Sequence, residues 1–428
     1  MTSQKFDVAI IGAGPAGLAA AKQAGREGAR VALISQEKPG GRALWHSLVP
    51  SKVWLHAAEH GTHQLDGIQN ELERVQQQQF QQDQTQLEQV GVDVILGQAS
   101  FIDNTTLKIH QEEKETRITA SRIIITAGSV PIFFPTIKPD GERIIAPRML
   151  ETLNRIPKPI IVVGGGVTGS EMIYMFNRLG SKLTARTDLD QLLPRSDREV
   201  SEALEATLSS RGVTFHKQRR VERVANTGDG VSVTLADRSE LHADMAFIAI
   251  GRKPDLESLH LNRTDIEHSA AGIVVDHTCR TSVPTIFAAG DVTGAPMTAN
   301  RAMAMGRVAA HNAIHGSDKR YQPHLSIEAV YTEPEVAQVG DMAETADTDL
   351  RRVPFTSLLK SKIVQTDGFI KVRVRKSDEK LLGAVALGSH ASDVLTPLAV
   401  ALQADMTLEQ VRDITAANPT LSEIFTEL

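Results

Sequence analysis

Val8-Ala9-Ile10-Ile11-Gly12-Ala13-Gly14-Pro15-Ala16-Gly17 is the stretch on which the fold turns. Val8 to Ile11 reads as a buried strand and Gly12 to Gly17 as a tight turn. Leu18 to Gly28 reads as an alanine-rich helix and Val31 to Ile34 as the next strand. A Gly-x-Gly-x-x-Gly pattern by itself fits turn-forming glycines as well as it fits a ligand site. Flanked by strand and helix in this order it forms a βαβ unit. Its glycines then allow a sharp turn and close approach of a pyrophosphate to the helix N-terminus.

The pattern returns. Pro159 to Val163 reads as a strand, Gly164-Gly165-Gly166-Val167-Thr168-Gly169 as the turn, Ser170 to Leu179 as the helix, and Lys182 to Arg186 as the following strand. Two such units imply two dinucleotides. Further on, Thr281-Ser282-Val283-Pro284-Thr285-Ile286-Phe287-Ala288-Ala289-Gly290-Asp291 is similar to the second FAD motif of two-dinucleotide flavoproteins, in which the aspartate faces the ribityl and pyrophosphate region.

The chain has 428 residues, 41% hydrophobic and 23% charged, enough for two or three domains with their own cores. A formal charge of -6 gives no electrostatic reason to expect nucleic acid or an anionic membrane as partner. Met1 to Asp7 leads into the first apolar run without a basic segment and cleavage site, and no later run has the length of a membrane span. A single cysteine, Cys279, excludes an intramolecular disulfide and favours a reducing compartment, so a cytoplasmic protein is expected. Cys279 itself is expected on a surface connection, as an inert thiol.

Gly40-Gly41-Arg42-Ala43-Leu44-Trp45-His46-Ser47-Leu48-Val49-Pro50-Ser51-Lys52 resembles the motif Gly-Gly-Thr-Cys-x-Asn-x-Gly-Cys-x-Pro-Ser-Lys. That motif belongs to the class I pyridine nucleotide-disulfide oxidoreductases, the family of dihydrolipoamide dehydrogenase, mercuric reductase and glutathione reductase. The resemblance runs through nearly the whole chain in order. It implies an α/β fold with two Rossmann-like dinucleotide-binding domains, an FAD domain split by an inserted NAD(P) domain, and a C-terminal α+β dimerisation domain. The expected boundaries are 1–145 and 272–316 for FAD, 146–271 for NAD(P), and 317–428 for dimerisation. Tyr331 to Gly340 and Leu381 to Ala384 resemble parts of the last.

By the same resemblance the flavin side keeps Lys52 and Glu171, a pair placed in the family beside the flavin and the nicotinamide. FAD is expected on Gly12, Gly14, Pro15, Ala16, Gly17, Ser35, Glu37, Gly41, Arg42, Lys52, Ala99, Ala127, Gly128, Asp291 and Ala299. NAD(P)H is expected on Gly164, Gly166, Val167, Thr168, Gly169, Glu171, Arg186, Thr187, Gly251 and Arg252. Ser35 stands where the family has a ribose-binding glutamate. Thr187 holds the analogous acidic position in the second unit, where Asp188 favours NADH and Arg186 favours NADPH. Gly169, often alanine in NADPH-dependent relatives, tips the expectation to NADH.

The disulfide side departs from the family twice. Ala43 and Leu48 occupy the cysteine positions, and neither can ionise or attack a disulfide. Asn418, in Asn418-Pro419-Thr420-Leu421-Ser422-Glu423, occupies the position of the acid-base histidine contributed by the neighbouring subunit. Asparagine cannot shuttle a proton near neutral pH. The expected function is therefore an FAD-dependent NAD(P)H oxidoreductase. It would pass hydride to flavin and on to a non-disulfide acceptor: a quinone, a dye, oxygen or a protein carrier. NAD(P)+ transhydrogenation and a catalytically silent nucleotide-binding protein are the alternatives. A homodimer is expected.

Three local features stay open or bland. Trp45 and His46 either fill the volume of the lost cystine or shield the flavin and donate a proton. The glutamine-rich segment Glu71 to Val90 has apolar residues at helical spacing and reads as an exposed amphipathic helix. His56, His60 and His63 read as a solvated helix face, and no metal site is expected.

Overall fold

The computed structural model describes residues 4–62, 64–316 and 318–428. The expected mixed α/β architecture is present, and the chain divides into two compact units.

The first unit comprises residues 4–53, 66–132 and 251–322. Among its described residues a seven-stranded sheet runs Asp93–Leu96, Val31–Ser35, Gln4–Ile11, Lys114–Ile125, Thr106–Gln111, Gln98–Phe101, with Ile286–Ala288 also pairing with Lys114–Ile125. The strands around the first fingerprint are parallel, with Ile10 opposite Leu33 on one side and Ile124 on the other. Their buried residues are apolar in continuous runs, as expected of strands covered on both faces. Helices Pro15–Arg26 and Ala299–His315 cover one face through an alanine-rich core. They approach closely: a Cβ on Gly306 would lie 2.2 Å from the Ala16 carbonyl oxygen.

The second unit comprises residues 54–65, 133–250 and 323–428, of which residue 63 is not described. A parallel sheet runs Thr214–His216, Lys182–Arg186, Pro159–Val163, Met245–Ile248, Ile144–Ile145. An antiparallel meander, Val221–Asn226, Val231–Leu235 and Glu240–Ala243, shares a core with it. The C-terminal part is an antiparallel sheet in the order Glu328–Val330, Glu335–Gly340, Leu381–Gly388, Gly368–Arg375, Thr348–Pro354, covered by helix Ala391–Gln403. Lys371 Nζ reaches Asp197 at 2.8 Å and Arg352 reaches Glu199 at 2.7 Å, tying this sheet to the helix Arg198–Ser210 and its cap.

The two compact units divide the chain differently from the three expected domains, with residues 54–65 and 133–145 in the second unit and 251–271 in the first. Residues 133–145 belong to the second unit, because Ile144–Ile145 adds a parallel strand beside Met245–Ile248. Residues 251–271 belong to the first, because Arg252–Pro254 pairs with Ser129–Pro131. Strand pairing over long sequence separations set these joins, and no local motif announces it.

The glutamine-rich segment is a helix, Leu65–Gln89, mostly exposed, with Ile68, Leu72, Asp83 and Leu87 turned inward. Asp83 is buried because Lys22 Nζ meets it at 2.5 Å. No helix of the described residues is long and apolar enough to cross a membrane.

Candidate dinucleotide sites and the altered disulfide motif

Both fingerprints build the same local geometry. Gly12 has φ +105° and Gly164 φ +118°, and a Cβ there would meet the carbonyl oxygens of Thr126 at 2.4 Å and Ala249 at 2.1 Å. Only glycine allows both that backbone and that approach. At Gly17 and Gly169 a Cβ would lie 1.8 Å from the Gly12 oxygen and 2.0 Å from the Gly164 oxygen, so the helix packs directly on the turn. Gly14 and Gly166 differ, since nothing lies within 4 Å of a Cβ added to either. Each is the N-cap of its helix and no side chain caps the first-turn amides, of which the first helix has none at Pro15. A pyrophosphate fits such a cradle by charge, by donor set and by room. Pro15, Ala16, Val167 and Thr168 form the first turns.

Around the first cradle, side chains far apart in sequence converge. Ser129 Oγ donates to Asp291 Oδ2 at 2.5 Å and accepts from Arg252 Nε at 2.8 Å, while Arg252 Nη2 donates to the Ser129 carbonyl at 2.9 Å. Burial pushes the Arg252 guanidinium below its ordinary pKa, opposed by nearby Asp291. Arg42 Nη2 donates to Asp255 Oδ2 at 2.7 Å. Buried Arg301 holds the loop around Asp291 by donating to the carbonyls of Gly290, Gly294 and Pro296 and to Thr293 Oγ1. Gly128 has φ +77° with open space above it, and Gly41 packs on Gly14. Gly251 and Arg252, read from sequence as cofactor-binding residues, belong to the first unit. Ser129, Asp255 and Arg301 were not singled out from sequence. Ser129 adjoins the Ala127-Gly128 turn and carried a local signal; the other two carried none.

Other candidates fall differently. Ser35 ends its strand buried. Glu37, expected near a ribose, has its Oε2 2.9 Å from His46 Nε2. Ala99 is buried in the core of the antiparallel extension, so only its backbone is left for a ligand. Ala299 begins its helix after the N-cap Thr298. The Trp45 indole donates to the carbonyls of Lys38 and Pro39, and its ring lies 5.8 Å from that of Phe80 on the glutamine-rich helix. Gln76 Nε2 of that helix donates to the carbonyls of Leu44 and Trp45. Trp45 and the glutamine-rich helix thus pack on each other.

In the second unit Glu171 is buried in helix Val167–Arg178 and accepts from the backbone N–H of Tyr331 at 3.1 Å. Arg186 ends its strand beside His216, 1% exposed, and none of its guanidinium nitrogens has a hydrogen-bond partner among the described residues. Burial lowers its pKa, as does Arg219, with Asp237 opposing. His216 is lowered by burial and by the charges of Arg186 and Arg219. Thr187 turns toward the fingerprint, its Oγ1 3.1 Å from a Cβ placed on Gly165.

Ala43 lies in the short helix Gly41–Trp45 and exposed Leu48 opens helix Leu48–Glu59, which carries half-buried Lys52. Asn418 Nδ2 donates to Glu423, which also accepts from the Thr420 N–H. Cys279 is fully buried, contrary to the expected surface position. It occupies a φ +64° turn that carries its side chain into the alanine-rich core. Burial pushes its thiol up to about 12, so it holds no thiolate near neutral pH. Of the three histidines read as a solvated face, His56 and His60 are exposed and have Glu59 beside them, and His63 lies outside the described residues.

Residues 6–306 match the family model described as pyridine nucleotide-disulphide oxidoreductase, and 327–428 match the dimerisation domain of that family. A dihydrolipoyl dehydrogenase of Bacillus subtilis (strain 168) is 32% identical over 98% of this chain and 95% of its own length. An NAD(P)H dehydrogenase (quinone) of Mycobacterium tuberculosis is 31% identical over 98% and 92%. The crystal structure of LpdA from Mycobacterium tuberculosis superposes with a TM-score of 0.93 at 30% identity, covering 99% of this chain and 98% of that one. The HOCl-induced flavoprotein disulfide reductase RclA of Escherichia coli, as its Cu(II) complex, gives 0.91 at 26% identity over 100% and 99%. With these matches running end to end over both fingerprints, the chain belongs to the pyridine nucleotide-disulphide oxidoreductase family of flavin-dependent oxidoreductases, and it does so with a single cysteine in its whole length.

Proposed function

We propose that this protein is an FAD-dependent NAD(P)H oxidoreductase whose electron acceptor is not a disulfide. The observation that carries this reading is the combination of two intact dinucleotide cradles with the loss of every thiol able to do disulfide chemistry. Ala43 and Leu48 have no ionisable group, and Cys279 is buried with a thiol pushed up to about 12. FAD, when bound, supplies the relay between a two-electron nicotinamide donor and the acceptor.

The chain's own residues do the rest. Gly12, Gly14 and Gly17, with the first-turn amides of helix Pro15–Arg26, hold one pyrophosphate, and Gly164, Gly166 and Gly169 hold the other. Asp291, aligned by Ser129 and Arg252, accepts hydrogen bonds from the polar middle of the first dinucleotide. Lys52 supplies a cation at the reducing end, and Glu171, held by the Tyr331 amide, supplies the carboxylate that the family resemblance gives to that end. Asn418 already donates to Glu423 and transfers no proton. A homodimer through residues 327–428 completes the assembly.

For the acceptor, a quinone is the reading we favour. The long-range likeness to an NAD(P)H dehydrogenase (quinone) supports it. For the donor, Gly169 argues for NADH, but the unpartnered buried Arg186 argues for NADPH. A buried guanidinium without an acceptor costs several kcal/mol, and a ribose 2′-phosphate supplies that acceptor. Thr187, lacking a negative charge, does not repel it. The test is anaerobic reduction of the yellow protein by NADPH and NADH, followed by reoxidation with a soluble quinone. Fast reduction and fast quinone reoxidation, with no turnover of dihydrolipoamide or glutathione disulfide, is the expected result. A flavin that stays oxidised under both nucleotides would overturn the proposal.

A further inference from the structure

Outside the dinucleotide cradles, one cluster of ligating side chains is assembled from two helices that meet at their C-terminal ends. Glu27 is the C-cap residue of helix Pro15–Arg26, and His311 and His315 lie four residues apart on helix Ala299–His315, hence on one face. His311 Nδ1 is 2.9 Å from Glu27 Oε1, and His315 Nε2 is 3.4 Å from Glu27 Oε2. One donor atom from each of the three residues lies within 4.8 Å of the others. The side chains of Glu27 and His311 are only 16% and 15% exposed, and that of His315, 48%, opens the cluster to solvent.

Two further observations point to an ion. Glu27 Oε2 is buried and takes part in no hydrogen bond although the His315 nitrogen is 3.4 Å away, so the two atoms are close without being aimed at each other. Donor atoms bound to one tetrahedral zinc at ~2.0–2.1 Å stand about 3.3–3.4 Å apart and point at the metal. His311 Nε2 is likewise buried without a hydrogen bond, although Asp318 Oδ1 lies 3.0 Å away, and Gln23 Nε2 donates to Glu27 Oε1 at 2.6 Å, so a carboxylate already stands near the nitrogen left over if Nδ1 binds. A ligating imidazole nearly always has a carboxylate or carbonyl on its second nitrogen.

We propose that Glu27, His311 and His315 form a site for a divalent transition metal of the zinc class, with solvent in the remaining position. Two imidazoles and one carboxylate suit zinc, cobalt or nickel rather than magnesium or calcium. The ion clips the helix that starts at the first fingerprint to the helix that follows the Asp291 loop. Its place at the far end of both helices makes it structural rather than catalytic.

The test uses the flavin-loaded full chain, stripped with chelator and titrated with zinc sulfate alone in equilibrium dialysis. Parallel cobalt(II) titrations are followed by visible absorption. The expected result is one zinc per chain, a raised Tm, and cobalt bands of a low-coordinate nitrogen and oxygen site. His311→Gln/His315→Gln should weaken zinc by more than the ~10–100-fold typical of losing an outer partner, with flavin content unchanged. His56→Gln/His60→Gln, at the exposed second cluster, should leave binding as it was. If the double variant at His311 and His315 fails to fold, Glu27→Gln takes its place with the same expectation. No stoichiometric zinc binding, or binding untouched by these changes and lost instead in the His56 and His60 variant, would overturn the site.

Discussion

Arg42 ties the altered disulfide segment to the Asp291 network: its Nη2 meets Asp255 Oδ2 at 2.7 Å and its Nη1 donates to the Ser129 carbonyl at 3.2 Å. Ser129 in turn donates to Asp291. Where the related motif has threonine before its first cysteine, this chain has a long cation that anchors the segment without a cystine. Arg42 is one-third exposed, so the Coulomb part of the pair is small and the hydrogen bonds carry most of it. Arg42→Ala is expected to cost about 1–2 kcal/mol and to speed flavin loss. Urea unfolding followed by flavin fluorescence reads both, and an unchanged midpoint would contradict the tether.

The open space above Gly14 and Gly166 separates the two nucleotide sites experimentally. Gly14→Ala adds a methyl where no protein atom stands and only a bound phosphate would meet it. The variant should fold and lose flavin. Gly166→Ala should keep its flavin and lose affinity for the nicotinamide nucleotide, by about 10-fold or more per 1.4 kcal/mol of steric clash. Absorbance spectra and nucleotide titrations distinguish the two, and flavin retained at full occupancy in Gly14→Ala would show that the cradle is misassigned.

Arg186 links stability to donor choice. Replacing this unpartnered buried cation by Arg186→Met removes a desolvated charge and keeps much of its volume. The nucleotide-free protein should therefore gain on the order of 1 kcal/mol or more. The same change should weaken NADPH and spare NADH. Thr187→Glu should shift the preference toward NADH by placing a carboxylate at the strand end that faces the fingerprint. Thermal melts and separate Kd values for the two nucleotides check both signs, and an Arg186→Met protein that melts lower would refute the argument.

Restoring disulfide chemistry needs more than thiols. Ala43→Cys/Leu48→Cys alone should yield little dihydrolipoamide oxidation, because Asn418, bonded to Glu423, moves no proton. Adding Asn418→His should raise that rate by roughly 10²–10⁴-fold, the usual worth of a positioned acid-base group. Equal rates in the two proteins would mean that the histidine position is irrelevant here.

On the flavin side, Lys52→Met and Glu171→Gln should each slow reduction by NADPH by about 10²-fold while flavin content stays constant. In Glu171→Gln the amide oxygen can still accept from the Tyr331 N–H as the carboxylate does, so a slowed reduction reports the lost charge rather than lost packing. Stopped-flow reduction at saturating nucleotide reads the effect; wild-type rates in both would remove them from the reaction.

Both βαβ units were legible because strand, glycine turn and helix are contiguous, and their chemistry is local. The strands Pro159–Val163 and Lys182–Arg186 fall where the apolar runs put them. Both helices begin earlier than read, at Pro15 and Val167, because the third glycine of each fingerprint is inside the first turn rather than before it. Cys279 was misplaced because a left-handed turn, invisible in residue type, points it inward.

Residue identity alone settled one thing this chain cannot do: with Ala43 and Leu48 at the motif's cysteine positions and one cysteine in its length, no fold can close a disulfide within the chain. The two cradles also follow from sequence, since they need only glycine's missing side chain and a helix N-terminus. Tertiary structure decided everything that depends on side chains meeting across long separations. It brought Ser129, Arg252 and Asp291 together, left Arg186 buried without an acceptor, and set Glu27 against His311 and His315. Such encounters are fixed by how sheets order their strands and how closely two alanine-rich helices pack, and those are properties of the whole chain.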